Sequence, residues 1–187
     1  DSHCTRAEQL VWFDSSLPNR SEAGSVSAMY VDADGHVMEN LEQIVEFLEP
    51  PFDHEQRRVN ANLLPALDNF HMPSDGTPGT PGTFDRSIGP EKWLEFLEKT
   101  ELESTVLYPT SGLVYGNIPY PQWALAYARA YNNWMHDTYF KASPRFKAVA
   151  LIPFQDVPAA VVELERAVTE LGMVGFMVPS NGLNEHV

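Results

Sequence analysis

Residues 146–180 read FKAVALIPFQDVPAAVVELERAVTELGMVGFMVPS, and their alternation decides the fold class. FKAVALIP is a near-continuous apolar run that ends in proline, the pattern of a strand buried on both faces of a parallel sheet. DVPAAVVELERAVTELG then reads as a helix, with Asp156 at its N-cap, Pro158 in its first turn and Gly172 at its end. Val161, Leu164, Val168 and Leu171 recur at helical spacing and predict its inner stripe. MVGFMVPS is a further strand of the same type.

The same alternation extends toward the N-terminus. STVLYPT is a short β-branched strand that ends in a turn, and GPEKWLEFLEKT before it is a helix carrying Trp93, Leu94, Phe96 and Leu97 on one side. PQWALAYARAYNNWMHDTYFK is a long helix with an apolar stripe of Trp123, Tyr127, Tyr131, Trp134 and Thr138. Met29–Ala33 reads as a buried strand that runs into a polar loop. NLEQIVEFLE follows as a short helix, with Leu41, Ile44, Val45 and Leu48 on one face and a stop at Pro50 and Pro51. Strands that alternate with helices imply right-handed βαβ units, so the expected class is α/β with about four parallel strands.

Two segments stand outside that pattern. Residues 1–28 are mixed and Ser-rich, and read as a flexible N-terminal extension with room for a short helix around Arg6–Phe13. Residues 53–90 read as a long insertion. At its centre PSDGTPGTPGT (73–83) is almost wholly Pro, Gly, Ser and Thr, which predicts a mobile loop or lid.

Charge and composition limit the function. The 187 residues carry 26 acidic and 12 basic side chains, a net charge of −14, which disfavours nucleic acid and anionic membranes as partners. No run approaches the roughly 18 apolar residues of a membrane helix, and no signal peptide is visible. The single cysteine, Cys4, permits no intrachain disulfide and suits a reducing compartment, so the expected location is cytoplasmic. The absence of a starting Met implies a processed or incomplete chain. GxGxxG, GxxxxGK[ST] and GxSxG are absent, which removes the obvious nucleotide and serine-hydrolase signatures.

In βαβ folds, chemistry gathers at the carboxyl ends of the strands. The first strand ends in Asp32-Ala33-Asp34-Gly35-His36. Asp34 and His36 are two residues apart, so on extended backbone they share a face and can grip one divalent cation. Asp, Gly and His also suit turns, so a plain turn is the competing explanation. Asp32 is read as supporting the turn, while Glu39 either helps the site or caps the next helix. His71, at the mouth of the insertion, has the ordinary pKa range of a general acid or base and is the catalytic candidate; a loop residue without contacts is its alternative. Thr110, Ser111 and Tyr115 follow the second strand, and Ser180 and Asn181 follow the fourth. All five are candidates to contact substrate, although Gly112, Gly116 and turn geometry explain the same segments.

YVDADGHVMEN resembles the opening strand of the amidohydrolase-related family, in the branch of aminocarboxymuconate-semialdehyde decarboxylase-like hydrolases and decarboxylases. WALAYARAYNNWM, SPRFKAVALIPFQD and ELERAVTELGMVGFMVPSNG are similar to later segments of that family in the same order, so the resemblance covers about residues 29–187. It implies a (β/α)₈ barrel, a divalent metal (zinc first, manganese or iron as alternatives) held by Asp34 and His36, and a small-molecule substrate. Such a barrel needs about 250 residues, so residues 29–187 resemble its N-terminal half, a partial barrel carrying the 53–90 insertion. The family's later ligands, a His after the fifth strand and an Asp after the eighth, have no counterpart; His186 comes too early.

The resemblance implies a metal-dependent hydrolase or non-oxidative decarboxylase acting on a small carboxylated or cyclic substrate. The open edges of a half barrel imply a missing C-terminal half or a homo-oligomer. They leave open a non-catalytic half-barrel subunit, or a truncated product, that works if at all through association with another chain.

Overall fold

A computed structural model describes residues 29–53 and 88–179. The expectations for residues 1–28, for nearly all of the insertion and for the residues after Pro179 lie outside that range. In chain order the elements are β1 (Tyr30–Val37), α1 (Leu41–Val45), α2 (Pro90–Lys99), β2 (Leu102–Pro109), a 3₁₀ segment (Ser111–Asn117), α3 (Pro121–Met135), a π-helical turn (His136–Phe140), β3 (Phe146–Ala150), α4 (Val157–Thr169) and β4 (Gly175–Phe176).

The four strands pair side by side in the order β1-β2-β3-β4, all parallel. That sequential order matters. A doubly wound sheet reverses its strand order at a switch point, whereas a barrel adds each strand beyond the last. Four parallel strands in sequential order with interposed helices are the start of a (β/α) barrel.

Local chemistry accounts for the helix ends. The Asn40 carboxamide accepts the Gln43 N–H (3.2 Å) and starts α1. Asp156 accepts the Ala159 N–H (3.1 Å) at the start of α4, which Gly172 follows at φ 73°. Proline stands at the start of α2, α3 and α4, where a missing N–H costs nothing.

The core lies between the sheet and α3. Tyr127, Tyr131 and Trp134 of the predicted aromatic stripe are buried there, joined by Leu107, Phe146, Leu151 and Ile152. Asn132 is buried with them. Its amide nitrogen donates to the Leu151 carbonyl (3.0 Å), and its oxygen accepts the Leu151 N–H (3.0 Å). An Asn in mid-helix, costly by propensity, thus ties α3 to the chain leaving β3.

Three expectations need correction. β1 does not stop at Ala33; it runs on to Val37, and register shifts around Asp32–Gly35 absorb the irregularity. Nor is it a buried strand, since Tyr30 and Val31 are exposed on the sheet's edge. The α4 stripe is also rotated, although Leu164 and Leu171 still pack, partly buried, against the core. Val161 and Val168 face outward, and the buried positions are Ala160, Glu163 and Ala167. The reason is Glu163, which bonds Asn132 (2.8 Å), Arg129 (3.3 Å) and Arg166 (2.7 Å). Two alanines let α4 approach, and the charge network fixes its rotation more strongly than the valines do.

Candidate metal centre

Asp34 and His36 lie on β1 itself, toward its carboxyl end. Both are exposed, with 92% and 40% of their side-chain surface open, and the His36 Nε2 is 3.8 Å from the Asp34 Oδ1. Two donors at that separation can both reach one ion at about 2.1 Å. The i, i+2 spacing therefore places the pair on one face, as the sequence predicts.

The ring of His36 is oriented by its other nitrogen. Nδ1 is 3.0 Å from the Pro109 carbonyl and 3.4 Å from the Thr110 hydroxyl. A carbonyl only accepts, so the proton of a neutral ring sits on Nδ1 and the lone pair on Nε2 faces Asp34. Metal-ligating histidines generally make this kind of outer bond. The Tyr108 ring stands 6.0 Å away, centroid to centroid, on the neighbouring strand.

Beneath the pair, Asp32 has the supporting role read from the sequence. Its Oδ2 accepts the Thr105 hydroxyl (2.7 Å), and its Oδ1 accepts the Asp34 N–H (3.1 Å). Gly35 makes room for this. A Cβ there would stand 2.3 Å from the Thr105 Oγ1.

Glu39 neither joins the pair nor caps α1, whose cap is Asn40. It is buried and reaches to the loop after β2. Its Oε2 accepts the Ser111 N–H (2.9 Å), and its Oε1 accepts the Gly112 N–H (2.7 Å). Burial raises its carboxyl above the ordinary value, and the backbone N–H bonds offset that only in part. Gly112 permits the approach, since a Cβ would stand 2.7 Å from the Pro109 Cβ and 3.3 Å from the Glu39 Oε1. The signal in the sequence was an acid directly before a better N-cap; its partner, more than 70 residues away, was not legible.

The other candidates separate. Thr110 reaches His36, and Ser111 meets Glu39 through its backbone. Tyr115 is buried, with its hydroxyl donating to the Ala124 carbonyl (2.7 Å). His71, Ser180 and Asn181 lie outside the described residues. Among the described residues, no group of three His, Cys, Asp or Glu is placed to hold a metal ion. The chemistry of the donor set suits a divalent ion, but Asp34 and His36 supply two donors where a catalytic zinc site has three. No helix among the described residues is long and apolar enough to cross a membrane.

No family model matches the chain. Over 92 residues the chain is 35% identical to the gamma-resorcylate decarboxylase of Rhodococcus jostii (strain RHA1), a match over 49% of this chain and 27% of that enzyme. The solved dihydroxybenzoic acid decarboxylase of Polaromonas sp. JS666, with bound manganese and the inhibitor 2-nitroresorcinol, superposes with a TM-score of 0.50 at 22% identity. It covers 80% of this chain, and this chain covers 38% of it. A solved amidohydrolase II gives a TM-score of 0.51 at 19% identity, over 82% of this chain and 42% of that one. The chain thus spans well under half the length of the proteins it matches. The resemblance to the N-terminal portion of an amidohydrolase-related decarboxylase holds, in sequence over the matched stretch and in fold across most of the chain.

Proposed function

We propose that this chain is the metal-binding N-terminal portion of a non-oxidative decarboxylase acting on a small hydroxylated aromatic carboxylate. The observation that carries the reading is the oriented pair: His36 Nε2 turned by the Pro109 carbonyl toward Asp34 at 3.8 Å. The similarity to a gamma-resorcylate decarboxylase supports decarboxylation over hydrolysis. Asp34 and His36 would hold a divalent ion, zinc or manganese, which polarises a carboxylate or phenolate when bound. Loss of carbon dioxide leaves an electron pair on the ring carbon, and a proton must reach that carbon. His71 is the candidate to deliver it. Thr110 and Ser111, beside the pair, and Ser180 and Asn181, beyond β4, are the candidates to contact substrate.

The test is metal content of the purified chain after exposure to zinc or manganese, followed by carbon dioxide release from 2,6-dihydroxybenzoate. Near-stoichiometric metal that Asp34→Ala with His36→Ala abolishes is the expected result. No bound metal in the unaltered chain would overturn it.

A second reading has its own observation. Among the described residues β1 pairs only with β2 and β4 only with β3, and Tyr30 and Val31 of β1, Phe176 of β4 and its flanking Val174 and Val178 are exposed. A half barrel that works by association would bury these edges. An obligate partner without metal, seen by light scattering and metal analysis together, would favour it.

A further inference from the structure

We propose that Glu39 is a positioning residue for His36: its carboxylate clamps the turn after β2, and that turn aims the imidazole at Asp34. The proposal rests on the reading of Asp34 and His36 as metal ligands.

The contacts form one chain. Each Glu39 oxygen takes one backbone N–H, from Ser111 and from Gly112. Those amides fix the backbone directly after Pro109 and Thr110, the two residues whose oxygens approach His36 Nδ1 at 3.0 and 3.4 Å. Glu39 is 4% exposed, and its hydrogen bonds among the described residues run to backbone N–H groups alone. A buried carboxylate is costly, and simple packing would be served by an apolar side chain. Two acceptors matched to two adjacent amide donors are what holding this turn requires. Gly112 belongs to the same device, because a side chain there would push on both Pro109 and Glu39.

The chemistry selects the probe. Glu39→Gln keeps the shape but sets an NH₂ donor against one of the two N–H donors, so the clamp loses one of its bonds. Gly112→Ala disturbs the same turn and leaves the carboxylate in place. Glu163→Gln alters the second buried carboxylate among the described residues, which bonds side chains of α3 and α4 and not the turn, and reports general loosening. In the full 187-residue chain with ¹⁵N-labelled histidine, ring nitrogen shifts of neutral His36 give its tautomer without metal. Mn²⁺ is then titrated, and paramagnetic broadening of the His36 signals gives affinity.

The expected result is an Nδ1–H ring in the unaltered chain. Glu39→Gln and Gly112→Ala should move it toward the Nε2–H form and weaken Mn²⁺ binding about tenfold or more, the usual scale for lost outer-shell bonds. Glu163→Gln should change neither. If both turn variants keep the Nδ1–H ring and unaltered Mn²⁺ affinity, the proposal is wrong; it is equally wrong if Glu163→Gln reproduces their effect. Should Glu39→Gln fail to fold, Gly112→Ala decides alone. If the unaltered chain takes no Mn²⁺ at His36, the metal reading falls, and the tautomer shift still decides whether Glu39 sets the ring.

Discussion

Glu39 and Glu163 are both buried carboxylates, but backbone N–H groups hold the first, whereas Arg129, Arg166 and Asn132 hold the second. The difference follows from what each joins. Glu163 joins α4 to α3, two helices whose side chains can supply cations. Glu39 joins the end of β1 to the loop after β2, where its hydrogen bonds among the described residues run to main chain. The Glu163 arrangement sets a helix layer; the Glu39 arrangement sets a loop at the carboxyl end of the sheet, where a βα fold keeps its chemistry.

Removing the helix anchor should have the largest effect. Glu163→Ala leaves Arg129 and Arg166 without their shared acceptor and takes one bond from Asn132. Breaking a buried pair costs about 3–5 kcal/mol, and the lower end applies here because both arginines keep some contact with water. Urea unfolding should show that loss with the His36 tautomer unchanged. A loss below roughly 1 kcal/mol would mean that the network is incidental and that Ala160 and Ala167 alone set the rotation of α4.

Gly35→Ala should come next, and it strikes the floor of the site. The added Cβ would meet the Thr105 hydroxyl oxygen at 2.3 Å, and that hydroxyl is tied to Asp32. Overpacking of this kind costs about 1–3 kcal/mol. Unlike Glu163→Ala, it should also weaken metal binding, because Asp32 holds the Asp34 N–H. Stability lost with metal affinity intact would separate the floor from the pair above it.

The third test uses pH. Burial raises the Glu39 carboxyl, so its folded value exceeds its unfolded one and folding takes up a proton between the two. That share of stability is complete below the unfolded value and is lost as pH rises through the raised folded value. Replacing Glu39 by Gln removes the titration, so the variant's stability should fall less steeply with pH than that of the unaltered chain. Urea melts across the acidic range measure both slopes; equal slopes would show that Glu39 titrates as if exposed.

What the sequence made legible, and what it did not, divides along the same line. Local signals carried far: the alternation of elements, the cap at Asp156, the stop at Gly172 and the shared face of Asp34 and His36 follow from spacing. Asn132 stands out in mid-helix by propensity alone, but its partner, the Leu151 backbone, does not. The failures are all tertiary. The valines of α4 have helical spacing, but spacing does not say that Arg129, 34 residues earlier, waits for Glu163. β1 reads as apolar at its start, but nothing local says that it lies at an edge. Glu39 looks like a cap because its amide partners lie beyond the insertion.

The smallest expected effect concerns neutral groups on the same core. Tyr115 and Tyr127 stack with ring centroids 6.2 Å apart, yet only Tyr115 has a backbone acceptor, the Ala124 carbonyl at 2.7 Å. The Tyr127 hydroxyl is buried with no hydrogen-bond partner among the described residues. Tyr115→Phe should therefore cost about 1 kcal/mol, the net worth of an ordinary bond. Tyr127→Phe removes a buried hydroxyl without a bond to lose, so it should be neutral or stabilising. Thermal melts of the two variants decide the point. A larger loss for Tyr127→Phe would place an acceptor for that hydroxyl outside the described residues, and Tyr127 would then join Glu39 as a side chain anchored by a distant stretch of the chain.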